Sequence, residues 1–141
     1  MVREEVLQTI RRVAGDQGGT VFISSHDMEE VERLAEWVGF LDDGVLTTAD
    51  RLVTLMARHR RLEVLLPPGT VVPDELPDAW VLRTHDGTRL TFVDTAFDEA
   101  NTGSLLARIL GPQAHWSSQA VSLSEVFRIL SQAGRGRRDR S

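Results

Sequence analysis

The fold of this chain is decided by the stretch Thr20–Ala35, which has the sequence TVFISSHDMEEVERLA. Its first five residues are apolar on both faces and rich in β-branched side chains, which is typical of a buried strand in a parallel sheet. From Met28 onward, apolar residues recur at three- and four-residue spacing, and this pattern predicts an amphipathic helix. Asp27 has the position of an N-cap, with Glu30 three residues later as in a capping box. A strand followed by a short turn and a helix predicts an α/β fold.

The segments on either side of this stretch predict further α/β structure. Residues 2–14 have the periodicity of an amphipathic helix, and the glycines that follow end it. The sequence GFLDDGVL at residues 39–46 predicts a tight hairpin, because Asp-Gly supplies the positive φ that such turns need. Residues 50–58 predict a third helix. One central strand cannot make a parallel sheet, so we expect residues outside this sequence to complete it.

A second unit is predicted after residue 60, because the order of elements changes there. A strand begins at Leu62, and a loop that contains four of the five prolines follows it. The remaining predicted elements are a hairpin around Asp86-Gly87, a helix over 97–110, a strand over 113–120 and a helix that begins at the capping box of Ser122 and Glu125. The order β-β-β-α-β-α is that of a small α+β domain.

The sequence is therefore predicted to have three parts. Residues 1–60 are expected to form part of an α/β domain, and residues 61–132 a small α+β domain. Residues 133–141 are polar and rich in arginine, and we expect them to be a disordered tail.

Composition excludes several classes of function. All sixteen basic side chains among the 141 residues are arginine, and the sequence has no lysine, cysteine or tyrosine. Without lysine, this sequence contains no GxxxxGK[ST] phosphate-binding loop and no Schiff-base lysine. Without cysteine, it has no disulfide, no thiolate nucleophile and no Cys-based metal site. The formal net charge of −5 argues against general nucleic-acid binding.

Among the four histidines, His26 is the candidate functional residue. It follows the carboxyl end of the predicted parallel strand, at the edge of an open α/β sheet where ligands gather. An imidazole there could hydrogen-bond a phosphate oxygen, and a structural role at the start of the helix is the alternative. His59, His85 and His115 are scattered and match no metal-binding motif. His59 and His85 are expected to be solvated at the surface, and His115 to lie at the surface or in packing. Ser25-His26-Asp27 is not a catalytic triad, because successive side chains diverge in direction.

At these residues the sequence resembles the H-loop region of ABC transporter ATPase subunits. Residues 20–35 and 38–46 have the family's order and spacing: an apolar strand, Ser-Ser-His, an acidic helix start, Glu-x-x-x-Leu-Ala, a hydrophobic strand and an Asp-Gly hairpin. The first helix resembles the one that follows the D-loop. Residues 61–132 resemble the C-terminal accessory domain of drug-export-type subunits, including SLSEVF at 122–127. The resemblance implies the C-terminal fragment of a P-loop-type ABC ATPase layer followed by an α+β accessory domain.

The resemblance implies a role for His26 only in a completed ATPase. There the histidine contacts the γ-phosphate of ATP, which is a positioning and electrostatic role in phosphoryl transfer. ATP and Mg are implied as cofactors, a membrane subunit as a partner, and an assembled dimer at the cytoplasmic, inner face of the membrane as the location. The Walker A, Q-loop, signature and Walker B motifs do not occur in this sequence. We therefore expect this chain alone neither to bind ATP nor to hydrolyse it, and we expect no bound metal.

Two functional interpretations remain open. In the first, the chain is a truncated or split ATPase subunit, and an upstream chain that carries Walker A through the D-loop completes it. In the second, residues 61–132 are a stand-alone regulatory or dimerisation module, which predicts that residues 61–141 fold cooperatively without the first sixty. An interaction of the arginine-rich tail with phosphate or nucleic acid is a further, weaker alternative, because such tails are usually only solvated.

Overall fold

A computed structural model of the chain describes Arg12, Gly18, Phe22 and residues 24–139, with side chains described through Arg135. These residues form a mixed α/β fold with four helices and two antiparallel sheets. The helices are α1 (Met28–Leu34), α2 (Leu52–Arg58), α3 (Glu99–Leu110) and α4 (Leu123–Asp139). The strands are β1 (Trp37–Asp42), β2 (Val45–Arg51), β3 (Arg60–Leu65), β4 (Trp80–Asp86), β5 (Arg89–Asp94) and β6 (His115–Ala120).

Two of the predicted elements fall largely outside the described residues. The helix over 2–14 lies outside them except at Arg12, and only Phe22 and Ser24 of the predicted strand over 20–24 are described. Neither Phe22 nor Ser24 lies in a strand. The parallel ATPase layer therefore stays a prediction, whereas the α/β character of residues 24–139 is observed.

The first sheet is the β1–β2 hairpin that the Asp-Gly sequence predicts. Asp43 and Gly44 have φ angles of 54° and 75°, as the turns favoured by Asp-Gly require. The hairpin is longer than predicted, because Trp37 still pairs with Arg51 and the guanidinium of Arg51 lies 5.1 Å from the Trp37 ring centroid. Residues 50 and 51 consequently belong to β2, and the following helix begins at Leu52 instead of residue 50.

The second sheet has the strand order β4-β5-β3-β6, with all neighbours antiparallel. Together with α3 and α4, it confirms the predicted order β-β-β-α-β-α. In the central strand β3, Leu62 lies opposite Phe92 of β5 and Ser118 of β6. The β4–β5 hairpin turns at Gly87, whose φ of 57° is the reason that glycine is favoured there.

Two hydrophobic cores lie against opposite faces of this second sheet, since neighbouring residues of a strand such as Phe92 and Val93 point to opposite faces. The sheet–α3 core consists of strand and α3 side chains; its buried members are Leu62, Val64, Leu66, Trp80, Leu90, Phe92, Leu106 and Leu110. The joint core combines α4 with the hairpin and α2; its buried members are Val38, Phe40, Leu52, Leu55, Val93, Val121, Leu123, Val126 and Ile129. The elements on both sides of residue 60 thus share apolar surface.

The last helix differs from its prediction. The sequence predicts a disordered tail over residues 133–141, but α4 continues to Asp139. Arginine is a good helix former, and an isolated glycine such as Gly134 or Gly136 costs only about 1 kcal/mol in a helix that is already nucleated. None of the helices described between residues 28 and 139 is both long enough and apolar enough to cross a membrane.

Candidate functional site

His26 occupies a bend just before α1, and its side chain is exposed. On one side of it, the backbone N–H of Asp27 donates a hydrogen bond to Ser25 Oγ at 3.0 Å. On the other side, Asp27 Oδ1 accepts from the backbone N–H groups of Glu29 at 3.1 Å and Glu30 at 3.3 Å. Asp27 is therefore the N-cap of α1, as predicted. The backbone around His26 is fixed by these bonds while its imidazole remains accessible to a ligand.

The position of α1 is set by the joint core and by a contact with α4. Met28, Val31 and Ala35 pack against the joint core, which explains their helical spacing. Glu32 lies off the apolar face of α1, and its Oε1 accepts a hydrogen bond from the backbone N–H of Leu123 at 3.2 Å. This carboxylate therefore satisfies one of the free N–H groups at the start of α4. The helix that follows His26 is thereby tied to the last helix of the chain.

The candidate ligand-binding group of this turn is the His26 imidazole, because Ser25 Oγ and Asp27 Oδ1 already accept backbone hydrogen bonds. Residues 24–135 hold no group of three or more His, Asp or Glu side chains that could bind a metal ion. A single hydrogen bond contributes about 0.5–3 kcal/mol, whereas micromolar affinity requires about 8 kcal/mol. One hydrogen bond from the His26 imidazole would therefore supply only a small part of the free energy that micromolar nucleotide binding requires.

The other three histidines lie in separate elements. His59 follows α2 and is 2% exposed, so the prediction of a solvated surface position was wrong for it. Its Nδ1 lies 2.8 Å from the carbonyl oxygen of Leu55. Burial lowers the pKa of His59, the Leu55 hydrogen bond and nearby Asp94 oppose that shift, and the charge of Arg58 adds to it.

The imidazoles of the second sheet are at the surface. His85 in β4 and His115 in β6 are both exposed, as predicted. His85 Nε2 lies 3.0 Å from the carbonyl oxygen of Gly87, and this bond closes the β4–β5 turn.

A buried polar cluster at the start of α3 is a feature that the sequence did not reveal. The Asp94 carboxylate is 2% exposed and accepts from Thr102 Oγ1 at 2.9 Å and from the backbone N–H of Ala96 at 2.9 Å. Asp98 is the N-cap of α3, and its Oδ1 accepts from Asn101 N–H at 3.1 Å. No buried side-chain N or O atom among the described residues lacks a hydrogen-bond partner. The cluster is therefore explained by its structural role in fixing α3.

One open groove of about 560 Å³ lies where β3 ends and β6 begins. Its lining is Leu65, Leu66, Pro67, Pro112, Gln113 and His115. The groove is mainly apolar and contains no carboxylate or arginine, so it has neither the charge nor the convergent polar groups of a phosphate site.

Comparisons with known proteins give a similarity to an ABC transporter ATP-binding protein. No family model matches the chain. The chain is similar to the ABC transporter ATP-binding protein YtrB of Bacillus subtilis (strain 168), with 26% identity over 127 residues. The match covers 90% of this chain and 42% of YtrB, so the chain spans less than half the length of this curated relative. The similarity supports a relationship to ABC ATPases.

Proposed function

We propose that this chain is the downstream part of an ABC transporter ATP-binding subunit of the drug-export type, and that His26 is its H-loop histidine. The proposal rests on the exposed imidazole in a turn fixed by Ser25 and Asp27. It gains support from the similarity to an ABC transporter ATP-binding protein along 90% of the chain. In the complete subunit, ATP hydrolysis would drive export across a membrane.

The proposed role of His26 is to position the γ-phosphate and the attacking water. One imidazole supplies a hydrogen bond that strengthens as charge develops on the transferred phosphoryl group. Residues absent from this sequence, the Walker A to D-loop segment, would hold ATP and Mg. Residues 1–60 would complete the ATPase domain, and residues 61–132 would form its accessory domain. The assembled subunits would dimerise at the cytoplasmic face of a membrane subunit, without nucleic acid.

The first experiment is a calorimetric titration of the chain with Mg-ATP. We expect no binding in the micromolar range, because one hydrogen bond supplies only a small part of the required free energy. A micromolar dissociation constant for the chain alone would contradict the division of the ATP site between this chain and another segment.

The second experiment restores the missing segment. A chimera would place the Walker A to D-loop segment of an ABC ATPase directly before Met1, and its Mg-ATP hydrolysis would be measured. We expect turnover, and we expect His26→Ala to lower kcat by about 10²–10³ with a smaller effect on KM. His85→Ala is the matched control, since this imidazole is exposed but lies in the β4–β5 hairpin.

The outcomes of the chimera experiment separate the role of His26 from the family assignment. Equal activities for His26→Ala and His85→Ala would remove His26 from the mechanism. A folded chimera without any ATPase activity would argue against the proposed function as a whole.

The structure gives less support to residues 61–132 as a stand-alone module. Leu123, Val126 and Ile129 of α4 are buried against the hairpin and α2, so removing the first sixty residues would expose them. A fragment of residues 61–141 with a cooperative unfolding transition would nevertheless favour the stand-alone interpretation. We expect no such transition, because the exposed α4 face would lose most of its apolar burial.

A further inference from the structure

The two outer strands of the second sheet, β6 and β4, differ in how well they are protected against pairing with another strand. β6 pairs with β3 along its whole length, from His115 to Ala120, and no described strand pairs with its other side. Its sequence, HWSSQA, has no Asp, Glu, Arg or Pro, and its register with β3 has no bulge. A regular, uncharged outer strand presents a row of free backbone N–H and C=O groups and is a template for pairing with another strand.

The opposite outer strand, β4, carries the features that prevent such pairing. Its register shifts between Val81 and Thr84, and Leu82 within this bulge has a φ of 53°. Arg83 and Asp86 add charges to the same strand. Bulges and charges are the devices by which proteins protect outer strands from association. The chain therefore protects one edge of the sheet and leaves the other regular.

The helix above β6 also leaves space on this side of the molecule. A Cβ atom added to Gly103 would lie 3.3 Å from Trp116 Cζ2, so α3 passes closely over β6. The side of α3 next to Gly103 and turned away from the buried Leu106 carries three exposed residues with short side chains: Ala100, Ser104 and Ala107. Such short side chains permit close approach of a second helix, because interhelical distance depends on side-chain size at the contact.

We propose that β6 pairs antiparallel with β6 of a second copy of this chain, about a two-fold axis, to give a continuous eight-stranded sheet. In an antiparallel ladder the residues that hydrogen-bond to one neighbour alternate along the strand. Residues opposite each other in the ladder point to the same sheet face, so a two-fold axis perpendicular to the sheet must pass between two copies of the same residue. For an axis near the middle of β6, this residue is Ser117 or Ser118. The inference does not depend on the proposed ATPase relationship.

A second copy fits this edge better than a charged partner does. Pairing of β6 with itself places no formally charged β6 side chains opposite each other, and serine pairs across strands can form hydrogen bonds. Arg60 Nη2 donates to Ser118 Oγ at 3.2 Å, so Ser117 on the axis keeps the two guanidinium groups farther from the axis than Ser118 would. The protected β4 edge then stops further addition, so the assembly closes as a dimer. A six-residue ladder with the adjoining α3 surface buries an area near the low end of specific interfaces, about 1,200 Å², which predicts a weak, concentration-dependent dimer.

The first test is sedimentation of the intact chain over about a hundredfold concentration range, where a dimer should appear as concentration rises. Ser117→Lys places two positive charges near the axis and should raise the dimer dissociation constant about tenfold or more. Thr84→Lys is the control, because Thr84 lies in the protected strand on the same sheet face as Ser117, through the register Thr84–Thr91–Glu63–Ser117. It should change the constant less than about twofold. A monomer at every concentration, or equal effects of both variants, would overturn the proposal.

The second test uses the absence of cysteine from the sequence. Ser117→Cys and Ser118→Cys are each oxidised under mild conditions. The residue on the axis should form an intermolecular disulfide, because the Cα atoms of a hydrogen-bonded antiparallel pair lie about 5.5 Å apart. Thr84→Cys should remain largely monomeric. If neither serine variant cross-links faster than Thr84→Cys, the β6 pairing is wrong, whatever the stability of the lysine variants.

Discussion

The sheet–α3 core and the joint core differ in how far apart in the sequence their residues lie. The sheet–α3 core uses residues between 62 and 110, so it closes within the second unit. The joint core combines residues 38–55 with Val93 and with residues 121–129. One face of the second sheet is thus covered by α3, a helix of the same unit, whereas the other face is covered by α4 together with the β1–β2 hairpin and α2. The second unit is therefore packed against the candidate site segment and is not merely connected to it.

The largest expected effects come from one buried leucine in each core. Leu123 and Leu62 are both 0% exposed, and replacing either by alanine should lower the free energy of unfolding by about 2–5 kcal/mol. Urea denaturation measures this loss. Hydrogen exchange should distinguish the cores: Leu123→Ala should increase exchange in α1 and the β1–β2 hairpin, and Leu62→Ala in β3, β5 and α3.

Val53→Ala is the control for both substitutions, because Val53 is 75% exposed on α2. It should change the unfolding free energy by less than about 0.5 kcal/mol. If the two leucine variants gave the same exchange pattern, the two cores would behave as one cooperative unit, and the distinction between them would have no energetic meaning.

The features that could be predicted from the sequence are those determined within a few residues. The Asp43-Gly44 turn needs only two positive φ angles, and the N-cap of α1 needs only Asp27 and the N–H groups that follow it. Ser122 Oγ likewise accepts from the backbone N–H of Glu125 at 3.2 Å, as half of the predicted capping box. The exposed position of His26 follows from the same local turn.

The features that could not be predicted depend on contacts distant in sequence. Glu32 and Leu123 are 91 positions apart, and no local pattern indicates that this carboxylate meets the start of α4. Glu125 and Ser122 form the predicted capping box, but the Glu125 carboxylate also lies 2.5 Å from Arg61 Nη2, a contact that no local pattern indicates. His59 stands in a basic sequence and is nevertheless covered by packing. Tertiary packing overrides local pattern at these residues.

A smaller effect is expected where α1 meets α4. Glu32→Ala removes the acceptor for the Leu123 N–H and should cost about 1 kcal/mol, the usual value for a lost helix cap. Glu36→Ala is the matched control, because Glu36 is an exposed carboxylate only four residues later. Thermal unfolding of both variants measures the difference. Equal stabilities would show that the Glu32 contact contributes nothing to the joint core.

The smallest effect is expected at the Arg61–Glu125 pair, which joins β3 to α4. The hydrogen bond from Arg61 lowers the pKa of Glu125 against an opposing effect of burial, so the folded state binds fewer protons than the unfolded state near pH 4. The pair's stabilisation should be complete above about pH 4.5 and be lost as the pH falls through the folded pKa.

Glu125→Gln should lower the unfolding free energy at pH 7 by less than about 1 kcal/mol, because solvent screens both partly exposed side chains. The same substitution should also make the unfolding free energy depend less on pH in the acid range. Glu63→Gln is the control, because it breaks the more exposed pair with Arg89 at 3.4 Å. It should change neither the unfolding free energy at pH 7 nor its pH dependence measurably. If both variants had the same pH dependence, the effect would belong to other carboxylates.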